Sequence, residues 1–391
     1  MIEKIRNIFA IPELRRKILF TLGILIIVRL GAQVPIPGIN PEALRQTMES
    51  LNDTFFGLFN MFTGGAFGQA AVFGLGIMPY ISVSIVIQIL QTTLPYFQRL
   101  AQEGESGRAK INQITRYGTV ILALVQSIGI AFLLESYGIV LNPGFAFRFT
   151  AVVSITTGTM LLLWLGEKIT EHGIGNGISL VIMVGILAAF PNVVLSEISY
   201  FQQGVRGILS ELSLAILFFF LVMLIIVIQQ GLRKVPVQYA RRIVGRKVYG
   251  GQNTYLPLKI NTAGVIPAIF ASALLLLPIT ISNFGFAESD TFLKISSMFT
   301  QGQPLYMLLY ASGIIFFSFF YTSIVFNPKE TAENLRKYGG YIPGIRPGER
   351  TAEYIDTILT RLTTVGALYL TFVCLMPEFL IAKYPIPFYL G

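Results

Sequence analysis

The chain alternates long apolar runs with shorter breaks that are polar or rich in Gly and Pro. A helix of about 20 apolar residues is long enough to cross the ~30 Å hydrocarbon core of a bilayer. The pattern predicts nine such helices, at residues 18–34, 72–94, 114–134, 149–166, 178–196, 211–230, 262–282, 305–326 and 357–376. Composition agrees, because 53% hydrophobic and only 13% charged residues are typical of a polytopic membrane protein and exclude a soluble one.

A segment that cannot cross the membrane precedes the second predicted span. Thr63-Gly-Gly-Ala-Phe-Gly68 is glycine-rich and too short, which predicts a re-entrant piece or a short helix shielded from lipid by protein. Ile77, Ile81 and Ile85 follow at four-residue spacing. This spacing suggests that the second span lines something other than lipid.

The distribution of basic residues predicts the topology. Of 29 Lys and Arg residues, 23 lie in the N-terminal segment and in every second connection, and 6 lie elsewhere. By the positive-inside rule, the N-terminus and those connections are cytoplasmic. Residues 1–17 lack a cleavable signal pattern, so the chain is expected to insert through its own helices.

Two of the predicted cytoplasmic loops, 229–261 and 327–356, are longer than a connection requires. The first has no acidic residue from Arg233 to Lys259, and Val235-Pro-Val-Gln-Tyr239 alternates like a strand, which predicts a structured hairpin. Basic loops can control topology and contact lipid headgroups, or they can dock RNA phosphate or an acidic protein. The sequence leaves both roles open.

The motifs of common enzymes are missing from the sequence. It contains no Walker A motif, no Gly-x-Ser-x-Gly and no His-Glu-x-x-His, and its one cysteine, Cys374, and one histidine, His172, cannot form a metal site. We therefore expect no catalysis and no cofactor. No carboxylate is predicted near the middle of a span, which argues against an ion-coupled carrier of small solutes. Arg29, near the outer end of the first span, is predicted to snorkel to the interface.

The spans carry few polar side chains, among them Ser82, Ser84, Gln88, Gln91, Gln126, Asn261 and Thr262. Such residues either form interhelical hydrogen bonds or mark a polar seam that can part. Ile174, Ile178, Ile182 and Ile186 form a stripe on the fifth span. A stripe of this kind either packs against other helices or narrows a pore that excludes ions by dewetting.

Six motifs, in order along essentially the whole chain, resemble bacterial SecY, the family that supplies the large subunit of the protein-conducting channel. They are Phe73-Gly-Leu-Gly-Ile-Met-Pro-Tyr-Ile-Ser82, Glu103-Gly-Glu-Ser-Gly-Arg108, Thr170-Glu-His-Gly-Ile-Gly-Asn-Gly-Ile-Ser179, Leu256-Pro-Leu-Lys-Ile-Asn-Thr-Ala-Gly-Val-Ile-Pro267, Val325-Phe-Asn-Pro-Lys-Glu-Thr-Ala-Glu-Asn-Leu335 and Ile342-Pro-Gly-Ile-Arg-Pro-Gly-Glu349.

The resemblance implies an all-α polytopic membrane protein with two inverted halves, 1–200 and 201–391, around an hourglass pore. An apolar ring would close the waist, with Ile77, Ile81, Ile178, Ile182 and Ile269. A short plug helix at about 55–67 would close the outer side, with Phe55, Phe59, Met61, Phe62, Gly64, Gly65 and Phe67. This is the same piece that is too short to span.

The resemblance also implies a lateral gate and a docking surface. The gate would contain Ser82, Gln88, Gln126 and Asn261. The two basic loops would dock the ribosome or the SecA motor ATPase through Arg233, Lys234, Arg241, Arg242, Arg246, Lys247, Arg346 and Arg350. Further implied partners are the SecE and SecG subunits, signal sequences with their nascent polypeptides, and anionic lipids, and the implied location is the bacterial inner membrane.

The chain departs from the family at its end. The family continues after a segment like Phe388-Tyr-Leu-Gly391 into a tenth helix, and nine spans leave paired inverted halves one helix short. We therefore expect a truncated member. A secondary transporter of small solutes is the alternative function, and a membrane scaffold that recruits partners through its basic loops is a third.

Overall fold

The computed structural model describes residues 10–51, 60, 63–203, 208–239, 242–244, 247–249, 253–282 and 303–383. Within these residues, each of the nine predicted spans is largely helical. The helices are α1 (Pro12–Gly31), α2 (Pro41–Leu51), α3 (Met78–Thr93), α4 (Pro95–Gln102), α5 (Glu105–Ser136), α6 (Phe145–His172), α7 (Gly177–Gln202), α8 (Ile208–Gln230), α9 (Ile266–Ser282), α10 (Pro304–Val325), α11 (Pro328–Lys337) and α12 (Glu349–Lys383). The strands are β1 (Leu232–Tyr239), β2 (Arg242–Val244), β3 (Lys247–Tyr249), β4 (Asn253–Lys259) and β5 (Gly340–Tyr341).

Several of these helices meet the requirements of a membrane span. In the described part of the chain, five helices (α5, α6, α8, α10 and α12) are each long and apolar enough to cross a bilayer. The pair α3 and α4 meets the same requirements together and is bent by 95° at a short break, as in a broken span or a re-entrant loop. Leu94 at the break is extended and precedes Pro95, which disfavours a helical conformation for the residue before it.

The predicted start of the second span was wrong. Helix α3 begins at Met78 rather than at residue 72, because residues 72–77 form turns. Gly76 has a φ of +57°, a left-handed conformation that interrupts a right-handed helix. Pro79 then stands in the first turn of α3, where its missing N–H costs no hydrogen bond.

The chain divides into two compact units, and the first contains residues 1–199 and 276–301. Its helices α5 and α6 pack through small residues, with Ala123, Ala131 and Ala151 fully buried, which lets the two backbones approach closely. Between them, the Ser127 and Thr156 hydroxyls lie 3.1 Å apart. The side chains of Arg116 and Glu167 add a bidentate ion pair with a shortest N–O distance of 2.7 Å.

The second unit contains residues 200–275 and 302–391. Strand β1 pairs antiparallel with β4 along its length, and β5 from the other long loop pairs with the end of β1, Gln238 opposite Tyr341. The predicted hairpin is thus confirmed. The two loops also share one core, in which Val235, Val237, Leu258, Ile342 and Ile355 are buried. The loops 229–261 and 327–356 therefore form a single layer at one end of this unit.

Candidate functional site

Residues 63–77 form a compact series of turns before α3. Gly64 and Gly65 have φ values of +66° and +87°, so residues 63–67 of the predicted plug form turns rather than a helix, whereas Asn60 is helical. The Thr63 hydroxyl donates to the Asn60 carbonyl and accepts from the Phe67 N–H, and the Asn60 side chain accepts from the Gly68 N–H at 2.6 Å. Gly64 and Phe67 are buried. The other predicted plug residues, Phe55, Phe59, Met61 and Phe62, lie outside the described residues.

Three helices hold this segment in place. From α1, both terminal nitrogens of Arg29 donate to the Gly64 carbonyl at 3.1 Å. The prediction that Arg29 snorkels to the interface was therefore wrong. From α7, the Gly185 backbone lies so close that a Cβ on Gly64 would stand 2.8 Å from it. From α6, Gly158 lies so close to Val72 that a Cβ on Gly158 would overlap the Val72 carbonyl.

The structure brings together four of the five predicted ring residues. Ile77 is buried in a cluster of side chains from α1, α6 and α7, and Ile81 and Ile178 pack against the same cluster. Ile182 and Ile77 both line a small cavity of about 30 Å³, which Arg29 and Thr63 also line. The fifth residue, Ile269, lies on α9 in the other unit and is partly buried there.

The predicted gate residues have distinct surroundings. On α3, Ser82 is partly buried, and the Gln88 side chain donates to the Ser84 hydroxyl at 3.3 Å. The Oε1 atoms of Gln88 and Gln126 are buried and have no hydrogen-bond partner among the residues that the structure describes. In the second unit, Asn261 is buried before α9 and donates to the Gly264 carbonyl at 3.1 Å.

The predicted docking residues lie on the two-loop layer. Arg233 and Lys234 are exposed on β1, and Arg242 and Lys247 lie on β2 and β3. Arg241 and Arg246 lie outside the described residues.

Arg346 and Arg350 are exposed in an open groove of about 520 Å³ that Glu353 and Tyr354 also line. The Arg350 guanidinium pairs with Glu353 at 3.4 Å. Arg346 has no carboxylate partner within the described ranges and is accordingly available to an anion.

Sequence reasoning missed two features of these sites. The contact between Arg29 and Gly64 joins residues 35 positions apart, and a cation inside an apolar helix is the signal that could have indicated it. The pairing of β1 with β5, which joins the two long loops, has a weaker signal in the sequence. That signal is the presence of the apolar residues Ile342 and Ile345 in the mostly polar second loop.

Comparison with known proteins identifies the family. Residues 71–391 match the family model described as SecY. The chain is 54% identical to the protein translocase subunit SecY of Escherichia coli K12 over 385 residues, which cover 97% of this chain and 87% of that protein. The chain belongs to the SecY family.

Solved structures of other proteins share the fold of this chain. A structure described as that of a protein conducting channel matches with a TM-score of 0.67 at 18% identity, covering 93% of this chain and 86% of that one. A structure on the SecY plug domain, which its description says stabilises the closed state, matches with a TM-score of 0.63 at 16% identity, covering 92% and 84%. The canine Sec61 channel from a ribosome–channel complex matches with a TM-score of 0.61 at 16% identity, covering 95% and 91%.

The family membership confirms the helical, polytopic fold class that the resemblance implied. This SecY chain is a multi-pass protein of the bacterial inner membrane. Membership does not favour the alternative of a small-solute transporter, and its relatives are named as translocase subunits rather than as enzymes.

The close approach of Gly158 to Val72 generates a stability prediction. Replacing Gly158 with Ala should lower the free energy of unfolding by about 1–3 kcal/mol, because the new Cβ forces the 63–77 segment away from α6. Gly23→Ala is the matched control, since nothing lies within 4 Å of a Cβ there and a helical Gly→Ala change should stabilise by up to about 1 kcal/mol. Thermal unfolding in detergent measures both, and equal melting temperatures for the two variants would contradict the packing described.

Proposed function

We propose that this SecY chain is the central pore subunit of a protein translocase. It passes unfolded secretory polypeptides across the inner membrane and releases hydrophobic segments laterally into it. The observation that carries the proposal is the convergence of Ile77, Ile81, Ile178 and Ile182 beside the buried 63–77 segment, in a member of the SecY family. A narrow apolar constriction excludes ions by dewetting and still deforms around a larger passenger.

Opening follows from unequal interactions with a signal sequence. Residues 1–200 and 201–391 would act as the two halves, with Ile269 completing the ring and Asn261 completing a gate with Ser82, Gln88 and Gln126. Burying roughly ten apolar residues of a signal segment against lipid contributes several kcal/mol. Polar contacts between membrane helices contribute only about 0.6 kcal/mol each, so parting a few of them costs less. The signal segment would thus favour the open state, because it binds that state better.

The unsatisfied oxygens of Gln88 and Gln126 support a role in this gate. A buried polar atom without a partner destabilises the resting arrangement by about 1–3 kcal/mol. This cost would lower the stability of the closed state relative to the open state. A signal segment that enters the seam between the second and third spans on one side and the seventh and eighth on the other would then need to supply less free energy to open it.

The two-loop layer is the proposed docking surface for the machines that supply the polypeptide. Its exposed cations Arg233, Lys234 and Arg346 suit either the phosphates of ribosomal RNA or the carboxylates of the SecA motor ATPase. The Sec61 relative comes from a complex with a ribosome, which supports the first. The core side chains of the layer are buried between β1, β4 and α12, which holds the two loops together in one surface.

The remaining proposed partners and the orientation rest on the family and on charge. SecE and SecG would complete the membrane complex, and anionic lipids would contact the basic loops. The N-terminus would be cytoplasmic, because 23 of the 29 basic residues lie on its side.

The isoleucine ring has a direct test. The triple variant Ile81→Gly, Ile178→Gly and Ile182→Gly should raise the resting ion leak of reconstituted vesicles several-fold, because smaller side chains let water wet the constriction. Leu187→Gly on the exposed face of α7 is the control for helix weakening. An unchanged leak in the folded triple variant would count against the ring.

The docking surface has a separate test. Arg346→Glu should slow SecA-driven export about tenfold or more, since the proposed attraction between its guanidinium and a carboxylate of SecA is replaced by repulsion. Lys329→Glu makes the same charge reversal at an exposed position of the same loop and should export normally. Export by Arg346→Glu at the control rate would refute the role of Arg346.

A further inference from the structure

The contact between Arg29 and Gly64 is the unexpected feature of the first unit. Arg29 lies in the last turn of α1, an apolar helix, where a cation is costly unless it has a partner. Its half-buried guanidinium donates from both Nη1 and Nη2 to a single acceptor, the Gly64 carbonyl, at 3.1 Å each. Hydrogen bonds from a charged donor are stronger than neutral ones. Arg29 is therefore positioned to hold the turn at Gly64 rather than to reach solvent.

Gly64 can take this position only because it lacks a side chain. Its φ of +66° is left-handed, and a Cβ would stand 2.5 Å from Arg29 Nη1 and 2.8 Å from the Gly185 backbone. The turn is thus pressed between α1 and α7 with its carbonyl facing the cation. The contact between the Arg29 cation and the Gly64 carbonyl therefore helps to fix the approach of the turn to both helices.

A cavity beside this contact allows the turn to be released from Arg29. Its volume of about 30 Å³ is enough for one water molecule, and its lining includes Arg29, Thr63, Ile77, Ile182 and Gly185. A water there can replace the Gly64 carbonyl as the acceptor for Arg29 when the turn moves. The Arg29 cation then has a hydrogen-bond partner both before and after the turn moves. Releasing the turn therefore costs less free energy than leaving a buried charge without a partner.

We propose that the Arg29–Gly64 contact is a latch that holds the 63–77 turn against α1 and α7 and so sets the fraction of channels that is closed at rest. Arg29 is a positioning residue in this role. The inference rests on the proposed channel function and adds to it the residue that regulates its seal. Because the latch is one charge-assisted contact beside a cavity large enough for one water molecule, it is strong enough to bias the resting state and weak enough for a bound signal segment to overcome.

The test compares variants of the full chain, reconstituted in its complex into vesicles. Arg29→Met should raise the resting ion leak about tenfold, equivalent to about 1.4 kcal/mol of closed-state stability. It should also allow export of proteins with weakened signal sequences. Arg29→Lys, which keeps one charged donor, should restore most of the seal. Arg148→Met is the matched control, because it removes an ion pair with Glu135 in the same unit without touching the turn.

A second variant breaks the same contact from the side of the turn. Gly64→Ala should raise the leak as Arg29→Met does, because its Cβ excludes Arg29 from the carbonyl. The double variant should leak no more than the leakier single one, since both break the same contact.

The failures of the two proposals are distinguishable. Wild-type protein that exports normally while Arg29→Met leaks no more than Arg148→Met would overturn the latch and leave the channel intact. Additive leaks in the double variant, or no restoration by Lys, would also overturn the latch. Absence of signal-dependent export by the wild-type protein would overturn the proposed channel function. The comparison of ion leaks between Arg29→Met and Arg148→Met would still test the latch.

Discussion

The structure depends on one constraint, which is that backbone polar groups at membrane depth must find partners inside the protein. Residues 63–77 are not helical and still meet it. The Ile36 N–H donates to the Ala70 carbonyl and the Val72 N–H to the Val34 carbonyl, both at 2.9 Å, while internal turns satisfy further groups. Glycines in the surrounding helices allow the close approach, and Arg29 supplies the donors for the Gly64 carbonyl. A broken segment can therefore lie next to Ile81, Ile178 and Ile182 while groups of the protein pair with its backbone.

In the proposed channel, this arrangement would let the turn both close the pore and move aside. The turn is held by short contacts to α1, α6 and α7, few of which are strong individually. A helix in the same position would satisfy its backbone groups with its own hydrogen bonds and would depend less on contacts with neighbouring helices. The isoleucines beside it contribute apolar packing without directional bonds. Movement of the turn therefore breaks a small number of defined contacts and leaves the helices that hold it intact.

Hydropathy was sufficient to predict the nine helical segments, because crossing a bilayer imposes a length and a composition that local sequence displays. Alternation in Val235-Pro-Val-Gln-Tyr239 likewise predicted the hairpin that β1 and β4 form. Local patterns could not predict the pairing of β1 with β5, since Gln238 and Tyr341 are brought together by tertiary packing across 103 positions. Local patterns also led to the wrong prediction of where the Arg29 side chain extends, because the position of a cation along a helix does not specify which neighbour accepts its hydrogen bonds.

The central claim is that a polypeptide passes the isoleucines of the first unit. Site-specific crosslinking tests it most directly, with a photoreactive residue at position 182 and a secretory chain stalled during export in membranes that contain this protein. The account predicts a crosslink that requires a functional signal sequence and that disappears when the residue is moved to position 187 on the exposed face of α7. Folded protein that exports the chain without a crosslink at position 182 would contradict it.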